Sequence, residues 1–204
     1  RLRINNRDSY CCIMDGLTEQ KLEYVIKKDK VKSTETEITT SYDEALKKFP
    51  HLREYILNVS SKIGEPVWMT ELNRDLRKME YYNILYPVGD PIFIHVYKVP
   101  GEEPKYVCVE PKLNEREKEL LEKIQNKIVK YAVEKIPTED IEKLKENLVS
   151  LYNKVVTIGR KSLFSDKISL KDKNEYEKIK YFLLRERIGY GKLEPILRDP
   201  YIED

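Results

Sequence analysis

The chain has 204 residues, 40% hydrophobic and 36% charged, with 38 Lys and Arg against 36 Asp and Glu for a net charge of +2. That length allows one large or two small domains, and a chain this size hides about 70% of its unfolded surface. The balanced charge argues against a dedicated nucleic-acid binder, which shows a basic stripe. Three cysteines do not make a disulfide scaffold, and no apolar run approaches the roughly twenty residues that span a bilayer.

Residues 1–40 are the least readable. Leu22, Val25 and Ile26 line one side of a short helix, and Lys32 to Thr40 is a polar linker. From Ser41 the signals sharpen. Ser41 with Glu44 forms a capping box, and Tyr42, Ala45, Leu46 and Phe49 recur at helical spacing. Pro50 suits the first turn of a second helix with the face Leu52, Tyr55, Ile56, Val59 and Ile63, and Gly64 ends it.

Between Val67 and Pro111 the period shifts. Asn83–Tyr86, Ile92–Tyr97 and Tyr106–Val109 are β-branched and aromatic, punctuated by Gly89-Asp90-Pro91 and by Pro100 to Pro104. They predict an antiparallel meander with Ile92, Ile94 and Val96 on one face and Phe93, His95 and Tyr97 on the other. The chain then turns helical. Asn114 caps, Glu117 answers it, and Leu120, Leu121, Ile124, Ile128 and Ala132 keep a 3.6 period until Pro137. Thr138 caps again, with Glu139 and Asp140 in the first turn. Ile141, Leu144, Leu148, Leu151, Tyr152 and Val155 make the next stripe, ending at Gly159. A third helix starts near Asp172 and carries Tyr176, Ile179, Phe182 and Leu183 to Gly189. The expected class is α+β, mainly a helical bundle beside a small antiparallel meander. The expected divisions are a helical extension (1–66), the meander (67–112), the bundle (113–189) and a junction (190–204).

Few residues carry chemistry. Cys11 and Cys12 are adjacent, Cys108 sits in a strand, and the two histidines, His51 and His95, lack zinc-ligand spacing, so no metal site is expected. His95 reads as packed and hydrogen-bonded. Glu102-Glu103 in a Gly/Pro turn reads as a solvated tip. Lys171 to Lys180 reads as an exposed helix face held by i,i+4 pairs. Arg185, Arg187, Lys192 and Arg198 read first as surface charge and second as contacts to a phosphate or a neighbouring subunit. Catalytic residues are not expected. A Walker A loop needs G-x-x-x-x-G-K-[ST], whereas Gly191-Lys192 is followed by Leu193 and preceded at the first Gly position by Glu186. The chain itself is therefore expected to have no ATPase activity and to hold no cofactor. Mixed Lys/Glu enrichment points to a thermophile, and the cysteine usage fits a reducing, cytoplasmic compartment.

The last fifteen residues read as a helix exit, a short turn and the lead-in to a strand. Gly189 and Gly191 supply positive φ, Pro195 sits among Leu193, Ile196 and Leu197, and Asp199-Pro200 turns the chain before Tyr201-Ile202. The motif Tyr190, Gly191, Leu193, Glu194, Pro195, Ile196, Leu197, Asp199, Pro200, Ile202, Glu203 and Asp204 resembles the junction of type II/type IV secretion ATPases. Tyr82–Tyr97 and Tyr106–Pro111 look like the archaeal branch of that family, which powers pilus assembly, protein export and the archaellum. The resemblance covers about Tyr82 to Asp204. It implies the N-terminal, non-catalytic domain of a hexameric motor that works peripherally at the cytoplasmic face of the membrane. ATP and Mg would be bound in a later domain, and neighbouring subunits and a membrane platform protein would be the partners. Arg1 at the start and the break-off at Ile202-Glu203-Asp204 are expected of a piece of a longer protein. The alternative is a stand-alone protein-interaction module with no motor attached; an unrecognised small-molecule enzyme finds no triad or glycine-rich loop to support it.

Overall fold

The computed structural model describes residues 41–72, 79–131, 140–160 and 165–202. The expectations placed on Cys11, Cys12, Leu22, Val25, Ile26, Ala132, Pro137, Thr138, Glu139, Glu203 and Asp204 lie outside the described residues. The fold is α+β, and the chain divides into two compact units. One runs up to Pro111 and resumes at Pro195; the other is Lys112–Glu194.

The first unit is built on a four-stranded sheet in the order β1-β2-β3-β4. β2 (Tyr82–Gly89), β3 (Ile92–Lys98) and β4 (Lys105–Val109) form the expected antiparallel meander. The sheet also has an unexpected member: β1 (Val67–Trp68), two residues long, adds in parallel beside β2 and makes the sheet mixed. The cross-strand register Leu85–His95–Val107 puts these side chains on the face of Phe93, and Tyr86–Ile94–Cys108 share the other.

Two helices cover the first of those faces. α1 (Tyr42–Lys48) follows Ser41, and α2 (Pro50–Ile63) has Pro50 at its first position and Gly64, at φ 85°, beyond its end. The Ser41 capping box does not form: Ser41 makes no side-chain cap bond. Ala45, Leu52 and Ile56 pack with Leu85, Phe93 and Val109 into one core, so these helices belong to the sheet unit rather than to a separate extension ending at residue 66.

The second unit holds α3 (Glu115–Tyr131), α4 (Ile141–Val155) and α5 (Lys173–Arg187). Between the last two lies a short parallel pair, β5 (Val156–Ile158) and β6 (Ile168–Leu170), in the span from Val155 to Asp172 where no strand was expected. The Asn114–Glu117 capping box forms in both directions, each bond 2.9 Å. At α4 the cap is Asp140, which accepts from the Glu142 and Lys143 amides, and at α5 it is Asp172. The Lys171–Lys180 run corrects one expectation. Glu175 is buried, accepts the Lys171 amide at 2.5 Å and pairs with Arg116; Lys178 reaches buried Glu117 at 2.7 Å. The Arg116 and Lys178 pairs cross-link α3 and α5, while Lys180 with Glu177 is a pair along the helix as expected, at i,i+3.

His95 is fully buried on the helix-covered face. Its Nδ1 lies 2.6 Å from Tyr55 Oη and its Nε2 2.7 Å from Asn83 Oδ1. The Asn83 amide nitrogen donates to the Ile63 and Gly64 carbonyls, so its oxygen faces the ring; Nε2 then carries the proton and Nδ1 accepts from Tyr55. Burial lowers the His95 pKa from 6.5 to about 4. The folded value lies below the unfolded one, so the stability is fully present above pH 6.5 and is lost as pH falls from there toward 4, by on the order of 3 kcal/mol. Urea unfolding should show that acid slope, and His95→Leu should remove the His-linked part of it whatever it does to stability at pH 7. An unchanged slope in the variant would refute this role.

Candidate functional site

The junction motif is where sequence and structure concentrate their constraints, and two buried carboxylates organise it. The first is Glu194. α5 ends at Arg187, and after Ile188 and Gly189 the chain makes a 3-10 turn (Gly191–Leu193) that runs into the one-turn helix α6 (Glu194–Leu197). Glu194 is 7% exposed, and its Oε2 accepts the Tyr190 amide at 2.7 Å. Gly191 takes the expected positive φ, 59°, but Gly189 does not. Gly189 is needed for space. A Cβ there would stand 2.5 Å from Glu194 Oε2 and 3.0 Å from the Arg185 carbonyl.

The second carboxylate is Asp199, in the sheet unit. It is 5% exposed. Its Oδ2 accepts from Tyr86 Oη at 2.8 Å and from Tyr106 Oη at 2.7 Å, while Oδ1 accepts the Tyr201 amide at 2.9 Å. Tyr86 on β2 and Tyr106 on β4 stand on either side of β3, on the face opposite His95. Burial first, and then the Asp199 charge, raises both tyrosine pKa values above their ordinary 10, so each hydroxyl keeps its proton and donates. Tyr201 adds two more contacts: its ring packs edge-on against Tyr86 at 5.5 Å, and its oxygen accepts the Leu72 amide at 2.9 Å. Residues 198–202 therefore form a turn docked on the sheet; the expected lead-in to a strand is not seen among the described residues.

The four basic residues do not share one role. Arg185 is 8% exposed, with its guanidinium 4.6 Å from the Phe182 ring centre, so it is no surface phosphate contact. Arg187 donates to Gln125 at 2.8 Å, Lys192 is exposed, and Arg198 is half-buried in the sheet unit. Elsewhere chemistry is sparse. Glu102 pairs with Lys105 at the exposed hairpin tip, and His51 lies 3.0 Å from the Pro91 carbonyl. A shallow hollow of about 610 Å³ on α4 is lined by Glu142, Lys145, Ser150 and Lys167, with no nucleophile–base pair. Among the described residues no group of three His, Cys, Asp or Glu could hold a metal, and no helix is long and apolar enough to cross a membrane. Sequence reasoning found Asp199 and Glu194 as motif members but missed Tyr86 and Tyr106 as the partners of Asp199.

No protein-family model matches the chain. It is similar to two proteins of Methanocaldococcus jannaschii. Over 173 residues it is 40% identical to uncharacterized protein MJ0900, covering 79% of this chain and 31% of that protein. Over 137 residues it is 29% identical to uncharacterized protein MJ1288, covering 67% of this chain and 50% of that one. The chain thus spans half or less of the relatives it matches.

Gly189→Ala should destabilise the protein by about 1–3 kcal/mol, because the added methyl must displace the Glu194 carboxylate or the Arg185 carbonyl. Chemical denaturation reads this directly, and wild-type stability in the variant would show that Glu194 is not held as described.

Proposed function

We propose that this chain is the N-terminal, non-catalytic part of a hexameric secretion or pilus-assembly ATPase, supplying subunit and partner contacts and the exit toward a nucleotide-binding part. The observation that carries the reading is the meeting at Asp199. The resemblance rests on two separate stretches, the strands around Tyr82–Tyr97 and Tyr106–Pro111 and the motif after Tyr190. Tyr86 and Tyr106 come from the first and Asp199 from the second. A motif whose acidic residue is buried against a sheet is suited to fixing the direction in which the chain leaves that sheet. The match to only 31% of MJ0900 agrees with a region that works within a longer protein.

On this reading the parent protein is a homo-hexamer at the inner face of the cell membrane, facing a membrane platform protein. ATP and Mg bind in its later part, and no residue of this chain is assigned to either. The whole protein should hydrolyse ATP, while the 204-residue chain should neither bind it at micromolar concentration in calorimetry nor release phosphate above a blank. Turnover by the chain alone would contradict the reading. A whole protein without nucleotide hydrolysis would also contradict it, and would leave a stand-alone interaction module.

A further inference from the structure

We propose that residues 195–202 are a strap held on the sheet by a clasp, Tyr86 and Tyr106 on Asp199, which opens without unfolding the sheet. Chain order gives the strap its place. β4 leads out of the sheet unit into Lys112–Glu194, and Pro195 brings the chain back. The Tyr106–Asp199 bond therefore ties the outgoing strand to the returning segment, and Tyr86 adds the neighbouring strand but one. While the clasp is closed, Asp199 to Ile202 stay on the sheet; once it opens, they are released from it.

The last four residues of the strap, Asp199 to Ile202, are held by the two tyrosine hydroxyls, the Tyr201 ring on Tyr86, and the Leu72 amide on Tyr201 Oη. Pro200 is exposed, and Tyr201 and Ile202 keep 37% and 45% of their surface in water. The sheet stands on other contacts. The β2–β3–β4 ladders and the core of Leu52, Ile56, Leu85 and Phe93 use no strap residue. Two regions held by separate contacts open with separate free energies, the weaker one locally. Asp199 makes the clasp depend on each of its bonds. All the donors on its carboxylate are neutral, so losing one hydroxyl leaves a buried charge short of hydrogen bonds that water would supply.

The meaning of the clasp for motion of a following part rests on the function proposed above, but its opening is measurable in this chain alone. The Tyr201 amide, bonded to Asp199, and the distant Leu72 amide, bonded to Tyr201, both report the closed strap. In hydrogen exchange followed by NMR, Tyr86→Phe and Tyr106→Phe should each speed both amides about tenfold or more. Strand amides at Leu85 and Ile94 should stay within about twofold of wild type, and Tyr97→Phe, on the opposite face, should leave Leu72 and Tyr201 unchanged. Unchanged Leu72 and Tyr201 rates in the Tyr86 and Tyr106 variants would overturn the clasp. Equal acceleration of the strand amides would show that the strap leaves only when the sheet unfolds, which overturns it as well.

Discussion

A carboxylate can stay 5% exposed only if hydrogen bonds replace its water, and at Asp199 the replacements come from Tyr86, Tyr106 and the Tyr201 amide. That requirement reaches across the whole sheet unit. It fixes two tyrosines on two strands, aims both hydroxyls at one oxygen, and holds a segment that follows Lys112–Glu194 in the chain. An antiparallel sheet commonly leaves one face to water. Here one face is covered by α1 and α2 and the other receives the docked turn at Tyr86 and Tyr106, and residues on both faces are buried, Tyr86 and Ile94 as well as Phe93 and His95.

The same device recurs in the second unit. Glu117 and Glu175 are buried, and each joins a helix start to a cation on another helix. Glu194 satisfies the amide just past the exit of α5. Buried carboxylates are costly unless every lone pair is used, and they tolerate little rearrangement around them.

Much of the fold was legible because its signals are local. Pro50, Gly64, Asn114 with Glu117, and Asp172 each mark a helix end through bonds made within four residues, and β2 to β4 announce themselves by β-branched and aromatic runs. β1, β5 and β6 were not legible: two or three residues show no period, and parallel pairing is set by distant contacts. Ser41 shows the opposite failure, a capping pattern that the structure leaves unused. The site divides in the same way. Asp199-Pro200 was read correctly as a turn, which its bond to the Tyr201 amide makes local. Its bonds to Tyr86 and Tyr106 span 113 and 93 residues and left no trace in spacing. Gly189 was assigned positive φ because helix exits favour it. Its real constraint, the Glu194 carboxylate against its α-carbon, is a packing fact.

The central claim is that Asp199 holds the returning chain through its tyrosines, and a double-mutant cycle tests it most directly. The stabilities of wild type, Tyr106→Phe, Asp199→Asn and the double variant would be measured by chemical denaturation. A shared bond predicts a coupling energy of about 1 kcal/mol or more, because once either partner is gone the second change costs less. Additive losses, with coupling near zero, would mean that the two residues act separately and that Asp199 does not hold the segment to the sheet.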